Sequence, residues 1–256
     1  MRRRHLPRRS RNSRRRRYGL SGKAGGGAFL PSRISGLQLW LKADSIAGLN
    51  DGDALTTWVD QSGVGNNVTQ ATTANKPLYK TNIVNSLPVV RFDGSNDFMS
   101  VATPVITGGA YSMFIVFKST ITAARINPFY VGSNSGVDGY GFEIDIGGLR
   151  NIIHRGIAFL VGGSATTNFE IWAAIRTTTG PLAALYINGT DDSVTNGTSA
   201  IVTPTAITVV GAIDNLATNP LPGDISEIIV YDSALSDANR DSIETYLGTK
   251  YNITVA

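Results

Sequence analysis

The chain has 256 residues, 42% of them hydrophobic, and a mean hydropathy of zero, which is enough to bury one substantial core. Cysteine is absent, which excludes a disulfide framework and thiol chemistry, and no run of 18 apolar residues exists, so no membrane partner is expected. The net charge of +4 conceals a division: ten of the 23 basic residues lie within residues 1–17, leaving 13 basic against 19 acidic residues and a body at −6.

Taken in order, the chain opens with an arm, residues 1–17, in which Arg2, Arg3, Arg4, Arg8, Arg9, Arg11, Arg14, Arg15, Arg16 and Arg17 stand without a single acid. Like charges repel and Leu6 is nearly the only apolar side chain, so the arm cannot build a core. Guanidinium groups grip phosphate in bidentate fashion, which makes nucleic acid the expected partner, with an acidic protein surface as the alternative. A solvated tail, a nuclear address and a transit segment also fit arginine and serine without acids. No apolar stretch follows the charges, which argues against an ordinary secretory signal. Residues 18–29 contain GKAGGG and read as a linker; the spacing of a phosphate-binding loop is missing.

The body, residues 30–256, is punctuated like a β protein, with short apolar alternations (Leu37, Leu39, Leu41) between clusters of Gly, Asn and Asp. Tyr111 to Ser119 alternates as a strand with Met113, Ile115 and Phe117 on one face and Phe114 and Val116 on the other, so both faces are expected to be covered. Phe169 to Val194 reads as a hairpin, with Gly180 and Pro181 at the connection and Asn188 and Gly189 at the next turn. Gly223 to Tyr251 is a strand, a turn and a helix. Glu227, Ile229 and Tyr231 share one strand face, Ser236 is placed to cap the helix, and Ile243 and Leu247 lie one turn apart beside Tyr246 and Tyr251. Gly248 interrupts the last turn, which predicts a helix of about three turns lying against one edge or end of a sheet.

Several of these segments carry a family likeness. LQLWLKAD, the loop with Trp58, Asp60, Ser62, Gly63, Gly65, Asn66 and Asn67, and PVVRFDGSNDFM together resemble the opening of concanavalin A-like, laminin G-like sandwich domains of the kind found in bacteriophage virion proteins. Trp172 and Arg176 followed by LYING are similar to a strand pair of that family, and EIIVYDSALSDANRDSIETYL to its closing strand and helix. The resemblance covers residues 30 to 253 or so. It implies an all-β, concanavalin A-like jelly-roll sandwich with a short C-terminal α-helix and a basic N-terminal arm.

Candidate sites are few. FEIDIGG resembles the E-x-D-x-E strand of related β-glucanases, with Glu143 and Asp145 in the first two positions, but Gly147 stands where the proton donor belongs. Without that donor the pair reads as two solvent-facing acids, and no catalytic residue is assigned. Asp93, Asn96 and Asp97 offer oxygens of the kind Ca²⁺ takes, as do Asp191, Asp192 and Asp224 in predicted loops; the competing reading is that such residues cap their own turns. No other cofactor is expected. His154 reads as a strand-surface residue, and Trp40, Trp58 and Trp172 as core residues rather than sugar platforms.

The resemblance implies a non-enzymatic virion structural protein, a capsid, decoration or tail component present in many copies. Its sandwich would pack against other virion subunits, while its arm would bind nucleic acid or an acidic partner. The alternatives are a carbohydrate-binding adhesion module on a virion or cell surface, and a divergent glycoside hydrolase.

Overall fold

The computed structural model describes residues 29–133, 138–154, 157–178, 183–194 and 203–256. Sixteen strands run through them in chain order: β1 (Leu37–Lys42), β2 (Thr57–Trp58), β3 (Val68–Thr69), β4 (Leu78–Val84), β5 (Leu87–Asp93), β6 (Met99–Val101), β7 (Tyr111–Ser119), β8 (Ile126–Gly132), β9 (Gly139–Ile144), β10 (Leu149–His154), β11 (Ile157–Ser164), β12 (Glu170–Arg176), β13 (Ala183–Ile187), β14 (Thr190–Asp191), β15 (Thr208–Val210) and β16 (Pro222–Tyr231). One helix, α1 (Asp237–Tyr251), follows.

Two eight-stranded antiparallel sheets form a sandwich. The first runs β14-β13-β12-β7-β16-β5-β4 with β1 added to β16, and the second runs β11-β10-β9-β8-β15-β6-β3-β2. Between them lies the main core, to which Met113, Ile115, Phe117, Phe142, Trp172 and Ile228 contribute. A second apolar layer covers the outer face of the first sheet, where Phe114, Val116, Ile171 and Ile229 meet Ile243, Leu247 and Tyr251 of α1. The two faces of β7 divide as its alternation predicts. Trp58 and Trp172 belong to the main core and Trp40 to the outer layer.

The helix corrects one expectation. Ser236 caps it as predicted, accepting a hydrogen bond from the Asn239 amide, but α1 lies across a sheet face and not against an edge or end. It also runs 15 residues, straight through Gly248, to Asn252 in the left-handed conformation (φ 55°). Gly248 serves packing instead: a Cβ there would stand 2.7 Å from the Ile253 carbonyl oxygen, where the C-terminal segment folds back on the helix.

What fastens α1 to the sheet is Glu227, fully buried on the outer face of β16. Its Oε1 accepts from Trp40 Nε1 (2.6 Å) and the Tyr246 hydroxyl (3.0 Å), and its Oε2 from the Tyr251 hydroxyl (2.7 Å) and Lys250 Nζ (2.8 Å). Burial, and then the Glu227 charge, holds both phenols protonated far above their ordinary range.

Loops close the free sides of β1 and β4, which explains the Trp58 to Asn67 motif. Asp60 takes five hydrogen bonds, from the amides of Trp40, Ser62, Gly65 and Asn66 and from the Ser62 hydroxyl. The Gln61 amide returns one to the Trp40 carbonyl at 2.8 Å, and Asn66 Nδ2 one to the Gln38 carbonyl at 2.8 Å, so the free side of β1 is satisfied. Residues 50–55 do the same for β4, with Tyr79 donating to the Asp53 carbonyl and Leu55 to that of Pro77.

Replacing Glu227 with Ala should take the acceptor from the Trp40 indole N–H and from the Tyr246 and Tyr251 hydroxyls, and leave Lys250 paired with Asp44 alone. We expect a loss of about 3–5 kcal/mol in urea unfolding with the sheet signature of the circular dichroism spectrum retained. A loss below about 1 kcal/mol would remove Glu227 from this role.

Candidate functional site

Three polar constellations bring charged side chains together, and the sandwich interior holds the first two at opposite ends of β10 and β12. At one end, Arg150 pairs with Glu170 (Nη2 to Oε1, 2.7 Å) and Asp192 (3.4 Å), and Glu170 also accepts from Trp172 Nε1 at 2.8 Å. Asp192 is thereby engaged in an ion pair. At the other end, His154 lies between the Tyr111 hydroxyl (2.9 Å from Nε2) and Arg176 (2.7 Å from Nδ1), with the Tyr140 ring 4.8 Å away. His154 is therefore an interior residue, 5% exposed, and not the strand-surface residue that its isolation in the sequence suggested. Burial, reinforced by the Arg176 charge, lowers its pKa to about 3.

The predicted glucanase-like pair also changes character. Phe142 and Ile144 point into the core, so Glu143 points away from it on β9; yet it is only 1% exposed, with Asn127 Nδ2 at 3.5 Å and Arg125 at 3.7 Å. Asp145 spends its Oδ1 on the amides of Gly147 and Leu149, closing the β9–β10 turn. The two acids are not solvent-facing partners.

Asp93, Asn96 and Asp97 form a turn that is satisfied from within. Asp93 Oδ1 accepts from the amides of Ser95 (2.8 Å), Asn96 (3.2 Å) and Asp97 (3.4 Å), Asp97 Oδ2 accepts from the Asp93 amide at 3.0 Å, and Asn96 Nδ2 reaches Asn75 at 3.2 Å. Burial, and then the Asp93 charge, pushes Asp97 up to about 6. Among the described residues, no group of three or more His, Asp and Glu side chains converges as a metal cage. The ten arginines of the arm lie outside the described residues. The chain is first described at Phe29, whose ring stands 6.1 Å from that of Tyr246 on α1.

The third constellation is a groove on the outer face of the first sheet, beyond the reach of α1. Asp224, which the sequence suggested as a loop residue, sits inside β16 and is 1% exposed. Its register partners are Arg91 on β5 and Lys118 on β7. Arg91 holds it as a fork, Nε to Oδ1 at 2.6 Å and Nη2 to Oδ2 at 2.9 Å, while Lys118 Nζ stands 3.6 Å from Oδ2. Both cations keep access to solvent, with side chains 41% and 28% exposed, and Lys118 lies 5.1 Å over the half-buried Phe169 ring. Together with Asp93, Thr120 and Pro222 they enclose a cavity of about 340 Å³. No residue of this groove except Asp93 and Asp224 was singled out from the sequence, because Arg91, Lys118 and Asp224 meet only through strand pairing.

No protein-family model matches the chain, and no curated protein matches it in sequence. Solved structures do match in fold. Domain 4 of AbnA, a GH43 extracellular arabinanase from Geobacillus stearothermophilus, in complex with arabinotriose, superposes with a TM-score of 0.57 at 14% identity, over 80% of this chain and 97% of that one. Trypanosoma rangeli sialidase in complex with sialic acid matches with a TM-score of 0.59 at 11% identity, and the receptor binding domain of botulinum neurotoxin D with 0.57 at 15%. Those two matches take in 87% and 83% of this chain but only 34% and 53% of the others' length. The likeness is one of β-sandwich fold.

His154 gives a pH dependence whose sign follows from its lowered pKa. The folded protein keeps the ring neutral, whereas the unfolded chain takes up a proton near the ordinary value of 6.5. The stability is therefore whole above about pH 6.5 and drains away as pH falls toward 3, at up to about 1.4 kcal/mol per pH unit. Denaturation of the wild type and of His154→Gln between those limits should show the slope reduced by one proton in the variant; equal slopes would refute the assignment.

Proposed function

We propose that the protein is a carbohydrate-binding β-sandwich module that binds without turning over its ligand. The observation that carries this reading is the groove at Arg91, Lys118 and Asp224: hydrogen-bonding side chains on a rigid sheet face, an aromatic ring beside them, and a concavity open to solvent. Saccharide hydroxyls both donate and accept, and such a mixed lining suits them. Support also comes from the fold of an arabinanase domain, solved in complex with arabinotriose, 97% of which matches 80% of this chain. The absence of turnover is supported by Glu143, buried against Asn127 and Arg125, by Asp145, consumed in a turn, and by Gly147 in place of a proton donor. The virion-subunit reading rests on the sequence resemblance alone.

The test is binding of the purified chain to an array of neutral and acidic oligosaccharides. Binding should appear, should persist when residues 2–17 are deleted, and should be accompanied by no release of reducing sugar. An array without signal would sink the module reading, and reducing-sugar release lost in Glu143→Gln would restore the hydrolase.

A second reading concerns the arm, and charge segregation favours it: ten arginines in residues 1–17 precede a body that is net acidic. We propose that this arm binds a polyanion such as DNA or RNA, independently of the groove. With half of the arginines on phosphates, affinity should fall by about three decades between roughly 50 and 200 mM salt, with little sequence preference. Deleting residues 2–17 should abolish binding. A flat salt response, or full binding by the truncated chain, would reassign the arm to an acidic protein surface.

A further inference from the structure

We propose that the groove takes the uncharged end of a saccharide, and that Asp224 is the residue that selects against acidic sugars. This rests on the reading of the protein as a carbohydrate-binding module.

The charges that line the groove balance. Arg91 and Lys118 are the two cations facing the groove, and both are drawn to the Asp224 carboxylate that register places between them. Asp93 stands exposed at the rim, its Oδ1 fixed by the turn amides of Ser95, Asn96 and Asp97. Two positive and two negative side chains therefore line the cavity. Asp51, which also acts on Arg91, is already paired with Lys80 at 2.6 Å and adds no charge of its own.

A carboxylate or sulfate entering this site would have to displace Asp224 from the Arg91 fork or settle beside Asp93. Displacement would leave a carboxylate that is 1% exposed without its Arg91 fork and with only Lys118 at 3.6 Å, a cost that the incoming anion does no better than balance. An uncharged sugar meets neither obstacle. Its hydroxyls can accept from the Arg91 and Lys118 hydrogens that Asp224 does not use, and can donate to Asp93. The rim offers Pro222 as an apolar contact, and the Phe169 ring lies 5.1 Å from Lys118 Nζ. At about 340 Å³ the cavity is at the small end of ligand sites, which suits a chain terminus more than an extended polymer.

The experiment uses matched pairs of oligosaccharides, lactose with sialyllactose and arabinotriose with a sulfated trisaccharide, titrated calorimetrically into the full chain. For whichever pair binds, the uncharged member should be favoured about tenfold or more, and its affinity should hold steady between about 50 and 500 mM salt. Asp224→Asn should reverse the preference. Because that buried position could compromise folding, Asp93→Asn gives a second reading: it keeps the amide-accepting oxygen, removes one negative charge from the lining, and should narrow the preference. Arg91→Gln should weaken the uncharged ligand about tenfold. A wild type that prefers the acidic member would overturn the proposal while leaving the module reading intact, as would an Arg91→Gln variant that binds normally. No binding by the wild type to any saccharide would overturn both.

Discussion

A single β-bulge on β16 decides what each face of the first sheet can do. Asp224 and Glu227 are three residues apart, so a regular strand would send them to opposite faces. The register shifts between Ile225 and Glu227, leaving Ser226 as the extra residue, and both carboxylates emerge on the outer face. The same shift turns Ile225 and Ile228 inward together, into the main core. One carboxylate then anchors α1 through Trp40, Tyr246, Lys250 and Tyr251, and the other organises Arg91 and Lys118 into a groove. The helix covers one part of the outer face because Glu227 holds it there, and the groove exists on the part that it leaves open.

The sandwich handles its other polar groups by the same economy. Buried charges are costly unless paired and hydrogen-bonded, and Glu170 and Asp60 are each given several partners. Glu170 binds Arg150, Trp172 and Thr166, and Asp60 collects four amides and a hydroxyl to seal the edge of β1. Such groups contribute little net stability, but any slip in register would leave them unsatisfied, which ties the sheets to one alignment. That matters in a chain without disulfides.

Charge is distributed in the same segregated manner along the chain as across the fold. The arm concentrates positive charge in 17 residues, the body is net negative, and the groove is balanced between the two. Each can therefore meet a different kind of partner. A polyanion held by the arm would be repelled by the body, and a saccharide in the groove would be indifferent to the arm.

Much of the framework was legible in the sequence. Alternation placed β7 with both faces buried, Ser236 marked the start of α1, Asn188 and Gly189 marked a turn with positive φ, and the three tryptophans were read as core. These are local signals, because side-chain period, capping and turn chemistry are written within a few neighbouring residues. The burial of Glu143 and His154, the continuation of α1 through Gly248, and the meeting of Arg91, Lys118 and Asp224 were not legible. Each depends on which strands become neighbours and in what register, and on a bulge that no alternation pattern announces. The sequence by itself determined that the chain would be a β-sandwich with a capped terminal helix and a basic arm; only the tertiary structure decided where its charged side chains face, because pairing between residues as far apart as Arg91 and Asp224 is set by the packing of whole sheets.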